Sequence, residues 1–185
     1  MIHGRFVTES YFHQLDGRDP PLHLVGAWAA DQRLVLWQLA VDGKSNEITA
    51  VPKLLEMLSL KGCIVTADAL NCQRAIAAQV VDQGGDYVLA LKGNQGSLHE
   101  DVRLFLDDPE RQGEAVHTAV DGEHGRIETR ISVVSTDIDW LQERHAWPGL
   151  VAIGKLIRRR EVATKVTTET AYYLLSIALG AERFG

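Results

Sequence analysis

The stretch Cys63-Ile64-Val65-Thr66-Ala67-Asp68-Ala69-Leu70 constrains this chain most, because an apolar, β-branched run ends on a single carboxylate. A run of this kind reads as a buried strand. An acid at its carboxyl end stands where open α/β sheets place their ligands. The residues that follow supply the strand's neighbour. Asn71 is placed to cap a helix running to about Gln83, with Ile76, Ala77, Val80 and Val81 on one face and Gly84-Gly85 as its stop. A second apolar run, Tyr87-Val88-Leu89-Ala90-Leu91, then ends at Lys92-Gly93-Asn94-Gln95-Gly96. Strand, helix and strand of these lengths predict a βαβ crossover joining two parallel strands. Asp68 and Lys92 are therefore expected to leave the sheet at the same edge.

The flanks extend this unit. Leu22 to Ala29 and Arg33 to Val41 read as two strands of an antiparallel hairpin, and Asp42-Gly43-Lys44-Ser45 turns the chain. Ser45 or Asn46 can cap a helix carrying Ile48, Val51, Leu54, Leu55 and Leu58, which tolerates Pro52 if the proline lies near its first turn. A further helix is expected from about Ser97 to Leu106, with Leu98, Val102, Phe105 and Leu106 inward. From Ala115 the pattern becomes strand-like, with one polar helical turn at Asp139-Trp140-Leu141-Gln142-Glu143. Residues 1–21 give no clear element beyond the turn that closes them. The sequence thus predicts a single α/β domain over residues 1–185, with a core at 22–108 and a β-rich insertion at 115–178. A mixed sheet with flanking helices is the natural packing. With one more strand before the hairpin, the order would be that of the ribonuclease H-like fold.

Composition narrows the function classes. With 45% hydrophobic and 24% charged residues over 185 positions, the chain can bury a full core. No apolar run approaches the roughly 20 residues of a bilayer span, and Met1-Ile2-His3-Gly4-Arg5 lacks the apolar stretch of a secretory signal, so no membrane partner and a cytoplasmic location are expected. Cys63 and Cys72 read as buried free thiols. A net charge of −6 argues mildly against a dedicated nucleic-acid binder. The basic residues are uneven, however: Lys155, Arg158, Arg159, Arg160 and Lys165 cluster, either as a solvated edge strand or as a phosphate track. His23, His99, His117 and His145 show no zinc spacing. Trp28, Trp37, Trp140 and Trp147 are expected to fill core and insertion contacts rather than to stack bases.

The segments Pro21–Ala29, Lys44–Ala50, Leu60–Ala69, Gly85–Gly96, His124–Arg130, Asp139–Leu141 and Thr167–Tyr173 resemble the H repeat-associated group of insertion-sequence transposases, members of the DDE class. The resemblance spans nearly the whole chain. It implies a ribonuclease H-like domain in which two aspartates and a glutamate hold two Mg²⁺ ions that cut and join DNA. Asp68 matches the second aspartate, so it is the expected catalytic residue and metal ligand. Lys92, Asn94, His124 and Arg126 are the expected DNA contacts, although turn chemistry alone explains the first two equally well and a plain hairpin turn the others slightly better. His3 stands where the family carries its first aspartate, and the family's glutamate lies beyond a segment resembling Ala181-Glu182-Arg183-Phe184. One carboxylate cannot hold two Mg²⁺ ions, which need several hard oxygen ligands. The expectation is therefore a fragment or decayed copy of a transposase catalytic domain, inactive alone, with DNA binding weak or lost.

Three other readings remain open at this stage. The chain could be an active metal-dependent nuclease whose site is completed by His3, another acid or a partner chain. Asp68 and Lys92 at neighbouring strand ends also suit a phospho-acceptor domain. Lastly, a leftover fold could serve as a non-catalytic binding module that self-associates through exposed edges.

Overall fold

In the computed structural model the described residues are 5–13, 22–30, 33–41, 47–108, 110, 115–123 and 126–185. The chain divides into two compact units, residues 1–90 and 91–185.

The first unit is built on strands β1 (Arg5–His13), β2 (Leu22–Ala29), β3 (Leu34–Val41), β4 (Ile64–Ala67) and β5 (Asp86–Leu91) in the order β3-β2-β1-β4-β5. β2 pairs antiparallel with both β1 and β3, whereas β4 runs parallel to β1 and to β5. The predicted hairpin and the parallel pair are both present. The segment before the hairpin, which sequence left uninterpreted, supplies the central strand that joins them. Its register, Phe6↔Ala29 on one side and Phe6↔Val65 on the other, makes β1 the hinge between the antiparallel and parallel halves. Helix α1 (Glu47–Glu56) buries Val51, Leu54 and Leu55, and helix α2 (Arg74–Asp82) buries Ile76, Ala77 and Val80. α1 packs against β2, β3 and α2, and Val65, Tyr87 and Leu89 of the parallel strands are buried as well.

Several local expectations are corrected. Pro52 is the sixth residue of α1 rather than a first-turn residue, so the helix forgoes one backbone bond there, and Gln79 Nε2 uses the Pro52 carbonyl at 2.9 Å. Ile48 and Val81 are exposed, each lying at the rim of its helical stripe. Asn71 does not cap α2. It ends a short 3-10 turn, Ala69–Asn71, and α2 starts three residues later. Gly84, at φ +76°, ends α2 as expected. The turn at 42–45, the capping residues Ser45 and Asn46, and the segment 14–21 lie outside the described residues.

The second unit carries helix α3 (Gly96–Asp107) and a four-stranded antiparallel meander, β6 (Ala115–Glu123), β7 (Arg126–Ser135), β8 (Ala152–Val162) and β9 (Lys165–Leu175). Helix α4 (Asp139–His145) links β7 to β8, and α5 (Ala181–Phe184) follows β9. All four inward residues predicted for α3 are buried. Trp147 is fully buried, and Trp140 stacks on Phe105 with ring centroids 5.0 Å apart, as core-filling tryptophans should. Trp37 departs from that expectation: it stands on edge strand β3 and is 46% exposed beside Leu34 and Val35. Among the described residues no helix is long and apolar enough to cross a membrane.

Candidate active site and basic face

Asp68 leaves β4 at its carboxyl end, in extended backbone at φ −71° and ψ 176°, and caps the 3-10 turn that follows. The cap is specific in its use of oxygens. The backbone N–H of Asn71 donates to Asp68 Oδ1 at 3.2 Å, and Asn71 Nδ2 donates to the same atom at 3.0 Å. Among the described residues Oδ2 accepts no hydrogen bond, and Asp68 is solvent-exposed. Asn71 is buried, and among the described residues its Oδ1 has no partner. An unpaired buried acceptor is costly, of the order of 1–3 kcal/mol. The arrangement therefore holds the carboxylate in one orientation at a price in local stability. Asn71 was legible only as a helix cap; its role in fixing Asp68 depends on the 3-10 turn, which sequence did not suggest.

β4 and β5 run parallel with Ala67 opposite Leu89, so both carboxyl ends face the same way. Lys92 follows β5 directly and begins the turn Gly93–Gln95, where its carbonyl accepts from the Gln95 N–H at 3.0 Å. Lys92 and Asn94 are both exposed on this turn. His124 lies outside the described residues, as does His3.

Arg126 opens β7 within an ionic network that sequence inspection did not isolate. Alternation along β7 puts Arg126, Glu128 and Arg130 on one face, and the β7–β8 register sets Arg160 opposite Glu128 and Arg158 opposite Arg130. Glu128 is only 5% exposed and is gripped by Arg126 through Oε2 and by Arg130 Nε through Oε1 at 2.8 Å. Arg158 Nε stands 3.6 Å from Oε1. The Arg126 and Arg130 hydrogen bonds hold the Glu128 carboxyl below the usual glutamate range. The readable signal was the Arg-x-Glu-x-Arg alternation facing Arg158-x-Arg160.

Lys155 is removed from the basic cluster. It points to the opposite face, buried, with Nζ 2.5 Å from the Leu106 carbonyl and 3.3 Å from Asp107 Oδ1. Tyr172 also donates to Asp107, and burial together with that bond pushes its hydroxyl up to about 12. Cys63 and Cys72 are buried thiols in no disulfide, as expected, with burial pushing Cys72 up to about 12.

No group of three or more His, Cys, Asp or Glu side chains that could hold a metal ion occurs among the described residues. Asp68 and Asn71 offer one carboxylate oxygen and one amide oxygen. That is short of what Mg²⁺ requires, so the described residues do not by themselves fit a two-metal centre.

A mixed sheet in the order β3-β2-β1-β4-β5, with an acid at the end of β4, defines a ribonuclease H-like domain. The family profile described as Transposase DDE domain matches residues 10–145, and the chain belongs to that family, in its H repeat-associated group. It is 48% identical over 158 residues to an uncharacterized protein in the dhlA 3' region of Xanthobacter autotrophicus, covering 84% of this chain and 53% of that one. Two H repeat-associated proteins of Escherichia coli (strain K12) are also similar. YhhI is 35% identical over 193 residues, covering 99% of this chain and 50% of its own length, and YbfD is 39% identical over 138, covering 72% and 53%. The chain spans about half the length of these curated relatives.

Proposed function

We propose that this chain is part of a transposase catalytic domain that acts on DNA, in which Asp68 presents Oδ2 to a divalent cation, with Mg²⁺ the expected ion. One observation carries this reading: a carboxylate at the end of the parallel strand β4 has one oxygen tied down twice and the other left open. The remaining ligands would come from outside the described residues or from another chain. Lys92, Asn94 and Arg126 are the DNA contacts of this reading, together with His124. In this reading the described residues do not cut DNA by themselves, because Asp68 alone among them cannot strip and orient the waters of Mg²⁺.

Incubating supercoiled plasmid with the purified chain and Mg²⁺ or Mn²⁺ tests this, with Asp68→Ala alongside. No metal-dependent nicking is expected from either. Nicking by the wild type that disappears in Asp68→Ala would overturn the inactive reading and favour a site completed within this chain. Self-association through the edge strand β3 belongs to the same proposal, since β3 carries Leu34, Val35 and Trp37 exposed at an edge.

A further inference from the structure

The arginine face of the β6–β9 sheet asks for a ligand that the chain does not supply. Four arginines, Arg126, Arg130, Arg158 and Arg160, surround the single buried carboxylate of Glu128. Arg130 and Arg158 are directly opposed across neighbouring strands, an arrangement that destabilises a sheet when the charges are alike. Glu128 is shared among three of these arginines, and Arg160 makes no ion pair among the described residues. The other acids that the register puts on this face are Asp121, 3.5 Å from Arg130, Glu123, opposite Arg126, and Glu169, opposite Arg158. Lys165, opposite Val162, lies on the same face, so five basic residues stand against four acids here, on a chain whose overall charge is −6. The side chains border a depression of about 330 Å³. A sheet optimised for stability alone would not place opposed guanidinium groups there.

We infer that this face grips the sugar-phosphate backbone of duplex DNA, with the four arginines as phosphate contacts and Glu128 as the positioning residue that holds Arg126 and Arg130 in place. Guanidinium groups match phosphate oxygens in fork geometry, and their fixed spacing suits a row of phosphates. Arg126 and Arg130 are four residues apart along β7, which separates their backbones by about 13 Å and exceeds the reach of one phosphate. The inference rests on the DNA-acting reading above but adds a surface, on the second unit alone, that needs no metal.

Fluorescence anisotropy with a labelled 30-base-pair duplex, in EDTA and over a range of salt concentrations, tests it on the full chain. Two variants decide the outcome. Arg158→Ala/Arg160→Ala removes two proposed contacts and should weaken binding at least about tenfold at low salt while flattening the salt slope by about 2. Arg159→Ala, between them in sequence but on the opposite face and paired with Glu161 at 3.5 Å, should bind like the wild type. Both variants relieve or spare charge repulsion and should retain the wild-type circular dichroism and melting temperature. If the double variant keeps the wild-type slope, the cradle is wrong while the DNA-acting reading stands. If the wild type binds no duplex at any salt, both fall. Inorganic phosphate at constant ionic strength should displace the duplex only at millimolar levels. Displacement at micromolar phosphate would assign the depression to a single free phosphate and overturn the backbone grip.

Discussion

Replacing Lys155 by methionine probes the strongest single polar anchor between α3 and the meander. The ammonium donates to the Leu106 carbonyl at 2.5 Å, and that carbonyl is one of the last in α3, where no intrahelical donor remains. A cation there also complements the helix's carboxyl end. Losing a charged donor to a buried carbonyl costs about 1.5–3 kcal/mol. The second contact, 3.3 Å to Asp107, adds less: that carboxylate is 40% exposed and keeps Tyr172 at 2.8 Å, so its share is under about 1 kcal/mol. Methionine refills the lysine stem, which removes any large cavity contribution. The expected loss is about 2–3 kcal/mol, or roughly 5–10 °C in melting temperature for a chain of this size. Thermal unfolding followed by tryptophan fluorescence measures it, since Trp140 and Trp147 report from the same unit. A shift below about 1 °C, no larger than that of Arg159→Ala, would refute the claim that this lysine is a buried anchor rather than part of a surface cluster.

Three further outcomes follow from the geometry. Asp68→Ala should lose about 1 kcal/mol without any metal present, because it removes the cap on the 3-10 turn, whereas Asp68→Asn should retain most of that stability; urea unfolding in EDTA checks both. Because the folded Glu128 pKa is depressed, its stabilising share is fully present above the ordinary glutamate range and drains away as pH falls through the lowered value. The stability gap between wild type and Glu128→Gln should therefore narrow from pH 7 toward pH 3 in calorimetric scans, and a constant gap would contradict the network. At β3, Val35→Lys should lower the average mass seen by light scattering at high concentration, and an unchanged wild-type monomer at every concentration would remove the edge-pairing proposal.

What could be read from sequence was whatever local pattern decides. The βαβ unit and the β2–β3 hairpin each carry their signal within a few tens of residues, as periodicity and turn residues; from Ala115 the strands were legible but the order in which they pair was not. β1 carries no such signal. Its segment runs Arg5-Phe6-Val7-Thr8-Glu9-Ser10-Tyr11-Phe12-His13, and it is a strand through antiparallel pairing with β2 and parallel pairing with β4, the latter far along the chain. Strand preference depends on such partners more than on intrinsic propensity. Asn71 shows the same limit at smaller scale. A capping residue type before an apolar helical stripe reads as a cap, yet Asp68 captures both the backbone and the side chain of Asn71 in a tighter turn first. The basic cluster was half legible for a related reason. Composition groups Lys155 with Arg158, Arg159 and Arg160, but strand alternation and register divide them, sending Lys155 beneath α3 and Arg159 to the face away from Glu128.

The site at Asp68 joins two roles that one carboxylate can serve at once. Capping uses Oδ1, with both donors coming from Asn71, so the turn stays satisfied whether or not a cation is near. The proposed coordination uses Oδ2, which no described group occupies. The two functions therefore compete little, and the first keeps the second preorganised: the carboxylate does not have to be ordered when a metal arrives. The cap alone accounts for an aspartate at this position, so the metal reading rests on the open Oδ2. Only a property of Oδ2 separates them. Asp68→Asn should keep the cap while replacing an anionic ligand by a neutral one, so any cation-dependent behaviour that survives that change belongs elsewhere in the molecule.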